Sequence, residues 1–297
     1  MAHRSGFVAI AGAPNVGKST LLNRLLGEKV AITSRKPQTT RNRITGILTR
    51  PDAQIIFLDT PGIHQARSLL NRNLVRVALQ AIAETDAVLA MTDTYHEAQE
   101  QAGPVLAALR GQRKPVVLAI NKIDLIKKPD LLPLIDHYRR EYDFAAIVPI
   151  CALNGAGIPE LLEELVRLLP EGPQYFPPDM HTDQTERFLA AEIIREKIFN
   201  LTEKEVPYAT AVEIEQWQEE ERLLRLYATI FVERASQKAI IIGQGGRMLK
   251  RVGQEARQEI EALLGVKVFL QLWVRVRRDW RRDPRTLHQL GLEPTKG

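Results

Sequence analysis

The chain has 297 residues, 44% apolar and 26% charged, with 41 basic against 36 acidic side chains for a net charge of +5. It is long enough for two domains of ordinary size and too apolar for wholesale disorder. A single cysteine, Cys151, excludes an internal disulfide and makes a cysteine-rich zinc cage implausible, and no run approaches the roughly 18–20 apolar residues of a membrane span.

The opening residues lack the charged-then-apolar order of a signal peptide, so a cytoplasmic location is the expectation. The basic excess is local. His181–Arg234 holds 7 basic and 12 acidic residues, whereas Ala235–Gly297 holds 13 and 6. A basic face there attracts a polyanion, either nucleic acid or an anionic membrane surface; a solvated helix face is the plainer explanation.

In chain order, Phe7–Ala11, Ile55–Leu58, Ala87–Met91, Val116–Ile120 and Ile147–Ile150 read as buried strands. Leu69–Ala83, Glu97–Arg110 and Leu131–Tyr142 have helical spacing with polar faces. Ile44–Thr49, the turn at Pro51-Asp52 and Gln54–Leu58 read as a hairpin. This alternation predicts a doubly wound α/β domain with a mostly parallel sheet. The proline-rich stretch Leu169–Pro178 breaks the pattern, so the expected organisation is a first domain over 1–172, a linker over 173–182 and a second domain over 183–297. In the second, Asp183–Leu201 places Phe188, Leu189, Ile193, Ile194 and Ile198 on one helical face. Strands follow at Ala209–Glu215 and Leu224–Val232, then a helix–turn–helix over Ser236–Leu264, and Lys267–Val276 closes as a strand.

Gly12-Ala13-Pro14-Asn15-Val16-Gly17-Lys18-Ser19 fits G-x-x-x-x-G-K-[ST] between a strand and the helix Thr20–Leu26. Glycines let the backbone wrap a phosphate, and successive N–H groups at a helix N-terminus face the anion. Lys18 is expected at the β- and γ-phosphates and Ser19 on Mg2+. Asp59-Thr60-Pro61-Gly62 follows the next strand; Asp59 can hold Mg2+ through water and the Gly62 N–H can meet a γ-phosphate. Asn121-Lys122-Ile123-Asp124 follows a third strand. The Asp124 carboxylate can accept from the N1–H and 2-amino group of guanine, a donor pair adenine lacks, and the Lys122 stem can cover the base face. Cys151-Ala152 ends the last strand, where the Ala152 N–H is expected at the guanine O6. Cys151 itself reads as packing, with the six histidines too scattered for a metal site.

These four motifs in this order resemble the translation-factor-like GTPases. The segment Ser34–Arg41, Asn15 inside the phosphate loop, and Ile63 after Asp59-Thr60-Pro61-Gly62 narrow the resemblance to the Era family. The resemblance implies that Gln38, Thr39, Thr40 and Arg41 form the first switch, that Thr40 joins Ser19 on Mg2+, and that Asn15 helps hold an activating K+. Ile63 cannot orient water, so hydrolysis is expected to be slow and to draw water positioning from backbone, a monovalent cation or a partner. No side chain stands out as a certain catalytic residue. The usual serine is replaced here by Cys151, a weak donor, so loop order around the base is expected to suffer slightly.

Ile242-Gly243-Gln244-Gly245-Gly246-Arg247 carries G-x-x-G between two helical segments, followed by Lys250 and Arg251. Small residues there let a nucleic-acid backbone approach, with N–H groups and basic side chains on its phosphates. The stretch resembles a KH domain of the prokaryotic type (type II, α+β), and the tail from Leu272 to Trp280 resembles the end of Era proteins. Trp273 and Phe269, in an apolar strand, are expected to pack rather than to stack on bases. The family resemblance implies binding of the 16S ribosomal RNA 3′ end on a maturing 30S subunit, peripheral membrane association, and GTP/GDP with Mg2+ as ligands; nothing suggests a coiled coil, so a monomer is expected. The rival readings are a passive RNA-binding or membrane-associated guanine-nucleotide protein in which hydrolysis is incidental, and an RNA-dependent ATPase, against which Asp124 argues.

Overall fold

The computed structural model describes residues 3–34, 36–65, 68–95 and 100–292. Two compact units emerge, and they do not follow the chain strictly. The first holds residues up to Ala31 and Thr40–Asp183; the second holds Ile32–Thr39 and the chain from Gln184.

The first unit contains β1 (Arg4–Gly12), α1 (Lys18–Leu26), β2 (Ile44–Thr49), β3 (Ala53–Asp59), α2 (Leu69–Glu84), β4 (Ala87–Asp93), α3 (Ala102–Arg110), β5 (Val116–Asn121), α4 (Lys128–Glu141), β6 (Ala146–Pro149) and α5 (Ile158–Leu168). The expected start of α3 at Glu97, with His96, lies outside the described residues, as does Arg35. The sheet runs β2-β3-β1-β4-β5-β6, and only β2 is antiparallel. Every residue of β3, β4 and β5 is buried, as expected of strands covered on both faces. In such a sheet the carboxyl ends of the strands open onto one crevice. β1, β3, β5 and β6 deliver the four sequence motifs to that edge.

The stretch read as a linker, 173–182, lies in the first unit instead. Gln54 accepts from the Tyr175 and Phe176 N–H groups at 2.7 and 3.0 Å, and Ile47 of β2 donates to the His181 carbonyl at 2.8 Å. Thr182 Oγ1 donates to the Thr45 carbonyl at 2.6 Å. The segment covers part of an edge strand, whose unpaired backbone groups otherwise invite non-native pairing. Its prolines stiffen a chain that is hydrogen-bonded along its length.

The second unit contains α6 (Glu186–Leu201), β7 (Ala211–Glu220), β8 (Leu223–Val232), α7 (Ala235–Ile242), α8 (Arg247–Leu264), β9 (Lys267–Val276) and α9 (Pro284–Gln289). Its sheet runs β7-β8-β9, antiparallel then parallel. Ile193, Ile198, Leu226, Ile230, Ile241, Val252, Ile260, Val268 and Val274 form its core. Thr185 caps α6 by accepting from the Phe188 N–H at 3.2 Å.

One helix departs from its sequence pattern. α6 buries the expected apolar face and also the charged Arg195 and Glu196, which are 3% and 2% exposed. Ile32–Thr39 covers that second side. The Thr33 N–H donates to Glu196 Oε1 at 2.9 Å, Ser34 Oγ to Asn200 Oδ1 at 2.7 Å, and Lys36 Nζ to the Phe199 and Thr202 carbonyls at the helix C-terminus. Arg195 pairs with Glu192 and donates to the Thr39 carbonyl. A cation on the last carbonyls of a helix also meets the negative end of its dipole.

Candidate nucleotide and RNA sites

The phosphate loop runs from the end of β1 to the start of α1. Gly17 has φ 100°, and a Cβ there would lie 2.3 Å from Asn121 Nδ2, so both conformation and space demand glycine. Asn15 also has positive φ, 70°. Asn121 ties the loop down: its Nδ2 donates to the Val16 carbonyl at 2.8 Å, and its Oδ1 accepts from the Ala152 N–H at 2.9 Å. The Ala152 amide, expected at the guanine O6, is thus engaged by Asn121 and could reach a base only by sharing or exchanging that bond. Cys151 is buried and its N–H donates to the Ala156 carbonyl at 2.9 Å, a backbone role compatible with either thiol or hydroxyl.

Lys18 lies buried with Nζ donating to the Gly12 and Ala13 carbonyls at 3.2 and 2.9 Å. Burial lowers its pKa to about 8, against the opposing charge of Asp59. Asp59 is buried at the end of β3. Burial raises its pKa to about 6, despite Lys18, the Ser19 hydroxyl and a backbone N–H that favour the anion. Ser19 Oγ donates to Asp59 Oδ2 at 2.6 Å and lies 2.8 Å from Thr40 Oγ1. The other carboxylate oxygen, Asp59 Oδ1, is buried with no hydrogen-bond partner among the described residues. Thr40 Oγ1, Ser19 Oγ and Asp59 Oδ2 therefore form a chain of oxygens beside the phosphate loop, and the same carboxylate leaves its Oδ1 unsatisfied in the interior. An all-oxygen set with a carboxylate suits a hard divalent cation such as Mg2+.

Thr60 Oγ1 donates to the Ile10 carbonyl at 2.8 Å, and the Ile63 N–H donates to the Gly12 carbonyl at 3.0 Å. Pro61 and Gly62 sit between them, and a Cβ on Gly62 would lie 2.7 Å from Pro14 Cγ. Only glycine lets this segment approach the phosphate loop so closely. Ile63 is buried, which accords with an apolar residue that cannot hold water. In the segment expected to form the first switch, Thr39 belongs to the second unit and Thr40 to the first; Gln38 has φ 61° and Arg41 is buried.

Asp124 is exposed, in a short helical turn, and among the described residues its carboxylate has no hydrogen-bond or ion-pair partner. Lys122, at φ 63°, is held by two residues the sequence did not single out. Its Nζ pairs with Asp93 at the end of β4 and lies 4.8 Å from the centre of the Tyr95 ring. The signal was there: Asp93 ends a strand that opens on the apolar run Ala87–Met91, on the same edge as the motifs.

In the second unit, Gly243 (φ 70°), Gly245 (φ 60°) and Gly246 (φ 77°) turn the chain from α7 to α8. A Cβ on Gly243 would collide with Met248, whereas Gly245 and Gly246 face open space. Ile242 packs against the core. Arg247 bonds Gln244 Oε1 at 2.6 Å, Arg251 pairs with Glu255 at 2.8 Å, and Lys250 is exposed. Trp280 is fully buried, its indole N–H donating to the Ala209 carbonyl at 3.0 Å. Phe269 and Trp273 are instead 40% and 38% exposed. The packing expected for them fails because strand alternation turns Val268 and Val274 inward and these two outward.

A phosphate loop, an Asp-x-x-Gly segment and an Asn-Lys-x-Asp segment on one edge of a mostly parallel sheet define a P-loop GTPase, here followed by a KH domain. A family model described as "50S ribosome-binding GTPase" matches residues 7–122, and one described as "KH domain" matches residues 205–281. GTPase Era of Geobacter metallireducens is 57% identical over 290 residues, 97% of each chain, and GTPase Era of Lacticaseibacillus paracasei is 52% identical over 97% of each. A solved Era in complex with MgGDPNP and nucleotides 1506–1542 of 16S ribosomal RNA superimposes with a TM-score of 0.94 at 44% identity, over 98% of this chain and 99% of that one. A point variant of Aquifex aeolicus Era bound to GDP and aluminium fluoride gives 0.92 at 43%, with the same coverage. The chain belongs to the Era family of GTPases.

Proposed function

We propose that this GTPase binds the 3′ end of 16S ribosomal RNA through its KH domain, assists maturation of the small (30S) ribosomal subunit, and reports its nucleotide state to that domain. The observation that carries the nucleotide part is the chain of oxygens from Thr40 through Ser19 to Asp59 Oδ2, with the other oxygen of that buried carboxylate left unpartnered. The RNA part rests on the open glycine turn flanked by Arg247, Lys250 and Arg251, and on the RNA-bound relative.

In this reading the N–H groups of residues 13–18 wrap the phosphates, and Lys18 turns from the Gly12 and Ala13 carbonyls to the β- and γ-phosphates. Ser19, Thr40 and Asp59 hold Mg2+, which when bound offsets charge on the transferring phosphoryl group. Asp124 selects guanine by accepting its two edge donors, and Lys122, steadied by Asp93 and Tyr95, covers the base. Gly62 N–H and Thr40 sense the γ-phosphate. Its loss frees both segments, and the chain through Thr39 carries the change to α6. With Ile63 buried, no side chain in the second switch motif orients water. Asn15 would help hold a K+, which would supply positive charge beside the phosphates, and turnover in K+ against Na+ tests this part.

Among the described residues no helix is long and apolar enough to cross a membrane. The reading places the protein in the cytoplasm as a monomer, with any membrane association peripheral. The deciding experiment compares affinity for the 1506–1542 fragment in GDP and in a non-hydrolysable GTP analogue. A difference supports a switch. Equal affinities support the passive binder and overturn it.

A further inference from the structure

The sheet of the second unit has two unlike faces. Leu224, Leu226, Ala228, Ile230 and Val232 of β8, with Val268 and Val274 of β9, turn toward the helices and form the core. The opposite face carries Tyr227 on β8 and Phe269, Gln271 and Trp273 on β9. Register explains their grouping. Tyr227 pairs with Gln271, which places it diagonally between Phe269 and Trp273, within reach of both rings. The Tyr227 and Trp273 rings lie 5.9 Å apart at 17°, and the Tyr227 and Phe269 rings 6.1 Å apart, edge on. The Arg225 guanidinium lies 5.4 Å from the Phe269 ring.

Three rings around an exposed glutamine form no part of the hydrophobic core. Contiguous aromatic surface of this kind, left open on a folded domain, marks an interaction site. Charge selects the occupant. The β9 side is basic, with Lys267, Arg275, Arg277 and Arg278, while the acids Glu213, Glu215 and Glu220 lie toward β7. Arg225 and Arg275 meet Glu220 and Glu215 at 2.6 and 3.0 Å; such exposed pairs are weak and exchange readily for phosphate. Bases stack on any aromatic face, their phosphates need cations alongside, and an amide can hydrogen-bond a base edge.

We propose that this outer face is a second RNA platform, on which unpaired bases stack on Tyr227, Phe269 and Trp273 with their backbone along the basic edge of β9. It rests on the reading of the protein as an RNA binder but is separate from the glycine turn between α7 and α8. A single strand held at that turn could therefore be engaged at a second place.

The test titrates the whole 297-residue chain with a uridine homopolymer of about 20 nucleotides, long enough for several stacked bases. Six forms are compared: wild type, Gly245→Asp at the turn, Trp273→Ala and Phe269→Ala on the sheet, and each of those alanine changes combined with Gly245→Asp. Thermal unfolding checks that each remains folded, and Trp273→Phe, which keeps a ring, is the rescue control. The platform requires each alanine variant to lose roughly tenfold in affinity, as for one lost stack, in both the wild-type and Gly245→Asp backgrounds, with Trp273→Phe restoring most of it. It also requires ultraviolet crosslinks within β9. If Gly245→Asp abolishes all binding and the alanine variants bind as wild type does, the platform is refuted while RNA binding stands. If wild type binds no RNA, the broader reading falls with it. An alanine effect confined to anionic phosphatidylglycerol vesicles, or to dimerisation in sedimentation, overturns the proposal in favour of a membrane or a second copy.

Discussion

Thr39 and Thr40 are adjacent in the chain but answer to different units: the Thr39 carbonyl accepts from Arg195 on α6, and Thr40 Oγ1 lies 2.8 Å from Ser19 Oγ in the phosphate site. One peptide bond therefore joins the residue proposed to sense the γ-phosphate to a segment fixed on α6. The anchor is spread over Thr33, Ser34, Lys36 and Thr39. Lys36→Met removes the cation from the α6 carbonyls and is expected to cost about 1 kcal/mol, the worth of a cap with its dipole contribution. GTP affinity is expected to change little. The ratio of RNA affinities in GTP analogue and GDP is expected to move toward one, which paired RNA titrations in the two nucleotides check.

In the proposed reading, base selection hangs on one exposed carboxylate, that of Asp124. Asp124→Asn replaces an acceptor pair with one acceptor and one donor. It is expected to weaken GDP binding by about 2–4 kcal/mol, because guanine's donors lose a charged partner and one meets an N–H. The same amide suits xanthine, which carries a carbonyl where guanine has its amino group. Competition of GDP against XDP for the variant should invert the wild-type order.

The motif residues were legible because each rests on local chemistry: glycines where φ or closeness demands them, a carboxylate ending a strand, a lysine after a glycine. Even so, spacing did not show that Asn121 would engage the Ala152 amide, since that bond joins loops 31 residues apart. Arg195 and Glu196 were illegible for a related reason. Charged residues beside an apolar stripe read as a solvated face, and only a segment some 160 positions away makes them interior. Phe269 and Trp273 are not legible as outward-facing because their strand has apolar residues at both alternations, so composition alone does not say which set faces the helices.

Gly17→Ala tests the tie between the phosphate loop and the base-binding segment. At φ 100° an alanine is strained by about 1–3 kcal/mol. Its Cβ also displaces Asn121 Nδ2, which must then leave the Val16 carbonyl. Loss of both phosphate and guanine binding is expected in calorimetry, with a lowered Tm. Gly103→Ala, where a Cβ meets nothing within 4 Å in α3, should bind as wild type and be slightly more stable.

RNA binding is expected to weaken steeply with salt, log K falling against log salt by about 0.7 per phosphate neutralised on a single strand. Lys250→Ala and Arg247→Ala should each reduce that slope by somewhat under one and weaken all sequences alike. A slope that is flat in the wild type removes the electrostatic argument for the glycine turn and its basic flank.

Asp59 and Lys18 give the nucleotide site a pH signature whose sign differs between the ligand-free and ligand-bound protein. Asp59's folded pKa of about 6 lies above its ordinary 3.8, so the protonated form stabilises the ligand-free fold. That contribution is complete below the ordinary value and is lost as pH rises through 6. Lys18's folded value of about 8 lies below its ordinary 10.5, so its contribution is present above the ordinary value and lost as pH falls through 8. Near pH 7 both groups are charged and both oppose the ligand-free fold. Relative to Asp59→Asn, the ligand-free wild type should gain stability from pH 7 to pH 4, by no more than about 3 kcal/mol. If Asp59 holds Mg2+ as proposed, Mg2+-dependent GTP binding runs the other way, because the metal takes the carboxylate form: affinity should fall about tenfold per unit well below pH 6. Denaturant unfolding without nucleotide and calorimetry with Mg2+ and GTP, over the same pH range, check the two signs. If both profiles of the wild type parallel those of Asp59→Asn, Asp59 is not the group that couples protons to the metal.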